Sequence, residues 1–220
     1  MTIHLSRRLQ AIADLVPAEA RVIDVGTDHA MIPVWLAQTR RAVHVWASDI
    51  RTGPLQSANR LIDETDTGDV VETRLTDGLQ GFGPEDGDTV IIAGMGGETM
   101  VSILSEAPWT VHGTLLILEP QSKQDILRRW LFENGYVILR ELLVKDAGRI
   151  YPILLAKAGT PEPYSDAEYL TGLFQCISDD PLFYDYLDGL IRRTSSAAPY
   201  DKHAAKVLRD LKDMKERLEN

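Results

Sequence analysis

A single cysteine, Cys176, in 220 residues excludes an internal disulfide framework and any zinc site built on paired cysteines. The five histidines (4, 29, 44, 112 and 203) form no H-x-H or H-x-x-x-H pair, so a histidine metal site is not expected. No apolar run approaches the roughly 18 residues that a membrane helix needs. The opening Met1-Thr2-Ile3-His4-Leu5-Ser6-Arg7-Arg8 lacks the basic-then-apolar order of an export signal. The expectation is a cytoplasmic protein with no metal and no membrane contact. Lysine and arginine are missing altogether between residues 160 and 190, where seven acids fall.

What is present is ordinary for a globular chain: 44% hydrophobic and 25% charged residues. This suits one domain of about 150 residues with a smaller appendage. The net charge of −10 disfavours indiscriminate binding of nucleic acid. The charge is uneven, however. Residues 1–157 carry 15 basic and 21 acidic groups, and residues 192–220 carry eight basic and five acidic. An acidic protein with a basic end segment retains a local site for a polyanion. A solvated helix of mixed charge gives the same pattern.

Leu5, Leu9, Ile12 and Val16 predict an amphipathic helix over 4–16, stopped by Pro17. Short β-rich runs follow at 22–25, 43–47, 70–75, 89–93 and 114–118, with helical patterns at 31–39, 54–64, 98–106 and 123–134 between them. Ser122-Lys123-Gln124-Asp125 reads as the N-cap of the last of these helices. Helical crossovers require parallel strands. Runs such as Val90-Ile91-Ile92-Ala93, apolar on both faces, predict a sheet covered by helices on both sides. Residues 136–144 and 151–156 are separated by only six residues, too few for a helix, and predict an antiparallel hairpin.

The expected fold is therefore α/β: a Rossmann-like sheet of five parallel strands plus an antiparallel hairpin, with a C-terminal helical or coiled-coil arm. The expected domains are 1–158 and 164–220, joined by Gly159-Thr160-Pro161-Glu162-Pro163. In the arm, Leu170, Leu173/Phe174 and Ile177, then Leu182, Tyr186 and Leu190, then Val207, Leu211, Met214 and Leu218 form three apolar stripes. A bend is expected at 194–199. Cys176 reads as buried filler, and Trp109 and Trp130 as core residues.

Ligands of doubly wound sheets bind at the carboxyl ends of the strands. Strand one ends Asp24-Val25-Gly26-Thr27-Asp28-His29, strand two Ser48-Asp49, strand three Thr76-Asp77-Gly78, strand four Ala93-Gly94-Met95-Gly96-Gly97, and strand five Glu119-Pro120. A dinucleotide needs three glycines after strand one so that its pyrophosphate meets a helix N-terminus; here Gly26 stands alone. S-adenosyl-L-methionine has ribose and adenine but no phosphate, so one close turn suffices. Asp49 is placed for the ribose hydroxyls and Asp77 for the adenine amino group. The pattern favours S-adenosyl-L-methionine over NAD.

Taken together, Leu5-Ser6-Arg7-Arg8-Leu9, Asp24-Val-Gly-Thr-Asp-His-Ala30, Ser48-Asp49-Ile50, Asp77-Gly78-Leu79, Ile92-Ala-Gly-Met-Gly-Gly97, Leu116-Ile-Leu-Glu-Pro120, Leu127-Arg-Arg-Trp-Leu131 and Arg149-Ile150-Tyr151 resemble the bacterial tRNA (adenine(22)-N1)-methyltransferase family. The resemblance implies a Rossmann-like methyltransferase core with a helical arm and methylation at N1 of an adenine in the D-loop region of tRNA. The family pattern would place an aromatic at Met31 and a glutamine at Glu119.

Asp24, Gly26, Thr27, Asp49, Ile50, Asp77, Gly78, Ala93, Gly94 and Gly96 are the expected cofactor-binding residues. Many adenine methyltransferases grip the target amino group with Asp/Asn-Pro-Pro-aromatic after strand four, a motif absent here. Asp28 and His29 are the substitutes expected, with Met95 on a glycine-flanked loop beside them. Arg192, Arg193, Lys202, Lys206 and Arg209 are the expected tRNA-facing basic groups. Methylation of another RNA or a small molecule, and a non-catalytic nucleotide-binding module with a partner-docking arm, are the alternatives.

Overall fold

The computed structural model describes residues 1–219. Seven strands form one sheet in the order β3-β2-β1-β4-β5-β7-β6. These are β1 (Ala20–Val25), β2 (Ala42–Asp49), β3 (Val71–Leu75), β4 (Thr89–Gly96), β5 (Leu115–Ser122), β6 (Tyr136–Asp146) and β7 (Arg149–Ala158). The first five are mutually parallel, and β7 enters antiparallel between β5 and the edge strand β6. The Rossmann-like class expected from the sequence is the class found.

Five helices cover the sheet: α1 (Arg7–Asp14), α2 (Met31–Gln38), α3 (Thr52–Thr65), α4 (Gly97–Ser105) and α5 (Gln124–Glu133). Two apolar cores result, one on each face, because β1 and β4 alternate Val22 and Ile91 to one side with Ile23, Val90 and Ile92 to the other. Ser6 caps α1 by accepting from the Leu9 N–H at 3.4 Å. Among the described residues, no helix is long and apolar enough to cross a membrane.

The arm comprises α6 (Asp166–Thr171), the single-turn α7 (Phe174–Ile177), α8 (Phe183–Ala197) and α9 (Lys202–Glu219). Its stripes meet in a third core, which also takes Leu143 and Ile150 from the β6–β7 hairpin. A buried ion pair fastens the arm. Arg128 of α5 meets Glu141 of β6 at 2.7 and 3.3 Å, and its third nitrogen donates to the Tyr169 and Leu170 carbonyls at 2.9 and 3.0 Å. Burial works against the Arg128 charge, but the adjacent Glu141 carboxylate more than offsets it and holds the pKa above its ordinary value.

Four local expectations are corrected. Ser122 does not cap α5. It is the last residue of β5, paired with Gly96, and the cap position is Lys123 in the left-handed region (φ 56°) with no side-chain cap. Ala93–Gly96 is not a loop but the end of β4, where Gly94 (φ 78°) bulges out of register with β5. Helix α8 runs through Ala197, so the chain reverses only at 198–201; serine and threonine raise no barrier to a helix whose other face is buried. Cys176 is exposed, because the single turn of α7 directs Ile177 inward and leaves Cys176 on the outer side. Trp109 and Trp130 do pack on the second core, where Trp130 stacks on Tyr136 at 5.7 Å.

Candidate active site

The tips of β1 to β4 open into one cavity of about 720 Å³, lined by Asp24, Gly26, Thr27, Asp28, His29, Asp49, Ile50, Asp77, Gly78, Ala93, Gly94 and Met95. Of the sequence-derived site residues, only Gly96 falls outside the lining. It sits where β4 passes into α4, with Ser122 Oγ occupying the space next to it.

The β1 turn is held by the neighbouring strand. The Ser48 carbonyl accepts from both the Gly26 and Thr27 N–H groups, at 2.8 and 2.9 Å. Gly26 has φ 74°, and the Met95 methyl lies where its Cβ would be. A side chain at 26 would be strained and would displace Met95. Asp28 and Ala30 on either side of His29 are both left-handed (φ 53° and 54°). Such backbone costs of order 1–3 kcal/mol per non-glycine residue and concentrates at functional turns. Asp28 and His29 stand at the mouth, their side chains about two-thirds exposed and 3.7 Å apart.

Asp24 and Asp49 lie deeper. The Thr27 hydroxyl donates to Asp24 Oδ2 at 2.7 Å, and the Arg51 N–H donates to Asp49 Oδ1 at 2.9 Å. Burial pushes the Asp24 carboxyl up to about 6, the Thr27 hydrogen bond opposes this, and the Asp49 charge adds to it. Ionised Asp24 is thus disfavoured in the fold. The penalty is complete above pH 6 and vanishes below the unfolded value of 3.8. It amounts to about 3 kcal/mol for a difference of about two pK units. Asp24→Asn is therefore expected to raise the urea midpoint of the free protein at pH 7.5 and to leave it unchanged near pH 4. A lower midpoint at pH 7.5 would contradict this.

Sequence reasoning missed Arg8, Gln121, Thr99 and Ser102, all of which line the cavity. Arg8 stood in a recognised motif without a role, because α1 precedes the sheet and nothing local shows that it crosses the strand ends. Its Nη1 lies 2.6 Å from Glu119 Oε2, which also accepts from the Gly94 N–H at 2.9 Å. Glu119 is fully buried and its Oε1 has no partner among the described residues. Burial pushes its pKa up, against the charge and hydrogen bond of Arg8 and the Gly94 contact. The Glu119 carboxylate thus ties α1 to the β4 bulge. Met31 lines the cavity beside Leu9 and Ile32.

The lining has a definite chemical preference. Asp24, Asp28, Asp49 and Asp77 are all acids, while Arg8 is neutralised by Glu119 and Arg51 lies 3.5 Å from Asp49. That field repels a pyrophosphate and attracts a cation. Ile50 is 59% exposed beside the acids, an apolar surface suited to a planar ring. No three histidine, cysteine or carboxylate side chains gather as a metal site among the described residues.

Residues 5–154 match the family described as a methyltransferase domain. The chain belongs to that family. The tRNA (adenine(22)-N(1))-methyltransferase of Bacillus subtilis is 29% identical to this methyltransferase-domain chain over 97% of its length and 92% of the relative's. The crystal structure of the B. subtilis M1A22 tRNA methyltransferase TrmK superposes with a TM-score of 0.82, at 27% identity over 99% and 98% of the two chains. Streptococcus pneumoniae Sp1610, solved in complex with S-adenosyl-L-methionine, gives a TM-score of 0.88 at 28% identity over 96% and 100%.

Proposed function

We propose that this protein transfers a methyl group from S-adenosyl-L-methionine to N1 of an adenine at position 22, in the D-loop region of tRNA. The observation that carries the reading is the acidic cavity at the strand ends, built on a single-glycine turn, in a chain that aligns along nearly its whole length with tRNA methyltransferases. A tRNA-modifying enzyme of this kind works in the cytoplasm. Residues 1–158 form the catalytic unit in this reading, and 164–220 the arm that holds substrate.

Bound S-adenosyl-L-methionine supplies an electrophilic methyl group on a sulfonium. Asp49 would accept from the ribose hydroxyls, Asp77 would accept from the adenine amino group, and Ile50 would pack on the adenine face. Gly26, Gly78 and Gly94 let the backbone approach, with Thr27 and Ala93 completing the wall. Asp24 would face the cationic end of the ligand.

The N1 lone pair of the target adenine is free near neutral pH, so the protein need not create the nucleophile. Its task is placement and a field suited to the cationic product base. Asp28 and His29 accept from the target amino group and hold the ring in line, while Met95 shapes the floor beneath it. The base must first leave its stack, at a cost of a few kcal/mol. In the arm, Lys202 and Arg209 are exposed on α9, whereas Lys206 is engaged with Asp166 at 3.1 Å. Arg192 and Arg193 lie on α8.

Incubation of the protein with tRNA and cofactor, followed by nucleoside analysis, should yield 1-methyladenosine at one position. Methylation confined to another RNA or a small molecule, or none at all, would overturn the reading. Replacing Asp28 by Asn or His29 by Ala should lower kcat about 10- to 100-fold while cofactor affinity changes less than threefold, the range expected for lost charged hydrogen bonds. Parallel losses in both would move the pair to the cofactor's own shell.

Cofactor affinity should also depend on pH. A cationic ligand favours ionised Asp24, which the free protein protonates below about pH 6. Affinity should be flat above pH 7 and fall by up to tenfold per pH unit below 6. Calorimetry should detect proton release on binding near pH 5.5, and Asp24→Asn should abolish it.

A further inference from the structure

A second cavity of about 620 Å³ lies between the core and the arm. The cofactor cavity and this cleft share Gln121 as a wall. Arg8 spans the same boundary: it lines the first cavity, and its guanidinium lies 5.4 Å from the ring of Tyr151, which lines the second.

Four cations converge on the cleft from three separate parts of the chain: Lys123 at the β5–α5 junction, Arg149 at the start of β7, and Arg192 and Arg193 on α8. None forms a salt bridge among the described residues. The one acid in the lining, Asp185, lies 3.8 Å from Lys145. In a chain of net charge −10, four cations without a salt-bridge partner among the described residues make this cleft locally basic.

The backbone is arranged for it. Lys123 is held left-handed, and its carbonyl packs against Gly97, where a Cβ would collide with it. Gly189 interrupts the interior of α8, a placement that costs about 1 kcal/mol relative to alanine. The space its missing Cβ leaves is bracketed by Arg193 Nη1 at 3.4 Å and Arg192 Nη2 at 4.0 Å. Both distances are ordinary contact distances, and both guanidinium groups lie back over the helix beside the cleft.

We propose that this cleft holds the RNA strand next to the methylated adenosine, with its phosphates on Arg149, Arg192 and Arg193 and an unstacked neighbouring base against Tyr151. This rests on the reading of tRNA as substrate and adds the path of its strand. Aromatic stacking and cationic tracking of the backbone are the means by which single-stranded segments are held. A target base in the acidic cavity needs its flanking phosphates outside that cavity, and the adjoining basic cleft supplies the place.

The test compares the full-length protein with Arg149→Ser, the double variant Arg192→Ser/Arg193→Ser, and Gly189→Leu, which fills the cleft floor while favouring helix. Arg60→Ser, which removes an exposed cation on α3 outside both cavities, serves as a comparison. In the cleft variants the KM for tRNA should rise at least tenfold, with kcat at saturating tRNA and cofactor affinity changed less than twofold. The log–log salt slope of tRNA binding should fall by about 0.7–0.9 for each phosphate that is no longer neutralised. A short 5′-phosphorylated RNA oligonucleotide, followed by anisotropy, reads the cleft independently of methylation. If wild type binds this oligonucleotide and the cleft variants lose it, the cleft assignment stands even where no tRNA is methylated, and only the reaction assignment fails. If folded cleft variants keep both oligonucleotide affinity and tRNA KM, the proposal is wrong. It is equally wrong if inorganic phosphate or AMP binds as tightly as the oligonucleotide, since the cleft would then be a small-phosphate site.

Discussion

Glu141→Ala should destabilise the protein by about 3–5 kcal/mol, the cost of leaving a buried charge without its partner. Arg128 has no exposed surface, and Glu141 supplies the two acceptors that face its Nε and Nη2. Its remaining nitrogen reaches the Tyr169 and Leu170 carbonyls, so the loss also loosens α6 from the core. Urea unfolding followed by circular dichroism should show the midpoint shift. An Arg128→Met/Glu141→Leu double variant should recover part of it, because apolar replacement removes the charge but leaves two carbonyls without donors. A double variant no better than Glu141→Ala would show that those carbonyl bonds, and not the ion pair, carry the stability. Removing the arm after Ala158 exposes the same arginine together with Leu143 and Ile150. A shortened chain is thus expected to lose its fold, and the arm's part in substrate binding is better probed by surface substitutions.

The second large effect concerns Asp49. If it holds the cofactor ribose, Asp49→Ala should weaken S-adenosyl-L-methionine by about 2–3 kcal/mol, or roughly 30- to 150-fold, the worth of charged hydrogen bonds to a buried carboxylate. Asp49 Oδ1 already accepts the Arg51 N–H, so the alanine variant loses a local tie as well. Asp49→Asn keeps an acceptor for Arg51 and should show an intermediate loss. Unchanged affinity by calorimetry in a folded Asp49→Ala protein would reduce the residue to an anchor for the β2–α3 turn. Tighter binding of NAD than of S-adenosyl-L-methionine would overturn the cofactor assignment entirely.

The sheet was legible because its information is local. A strand buried on both faces must be apolar throughout, a helix between two such strands forces them parallel, and a six-residue separation forbids a crossover. The acids and glycines at the strand ends followed, since topology alone sends those ends to one edge. Asp24, Asp28, Asp49 and Asp77 meet in one cavity for that reason. Backbone details were less legible. Lys123 at a helix start and the bulge at Gly94 are set by the Gly97–Lys123 contact and the Glu119 carboxylate, both between residues more than twenty positions apart.

What the sequence by itself determined is the doubly wound sheet, the three apolar stripes of the arm, and the acidic single-glycine site. Each follows from spacing and side-chain type within one element and its neighbours. Only the tertiary structure decided how α1 and the arm attach. Arg8 reaches Glu119 across 111 positions, and Arg128 reaches the Leu170 carbonyl across 42. It also sorted the basic residues of the arm: Lys206, Lys215 and Arg217 are spent on Asp166, Asp188 and Phe174, while Arg192 and Arg193 line the cleft with Lys123 and Arg149. The physical reason is that periodicity reports which face of an element avoids water, whereas charge pairing depends on which faces later meet.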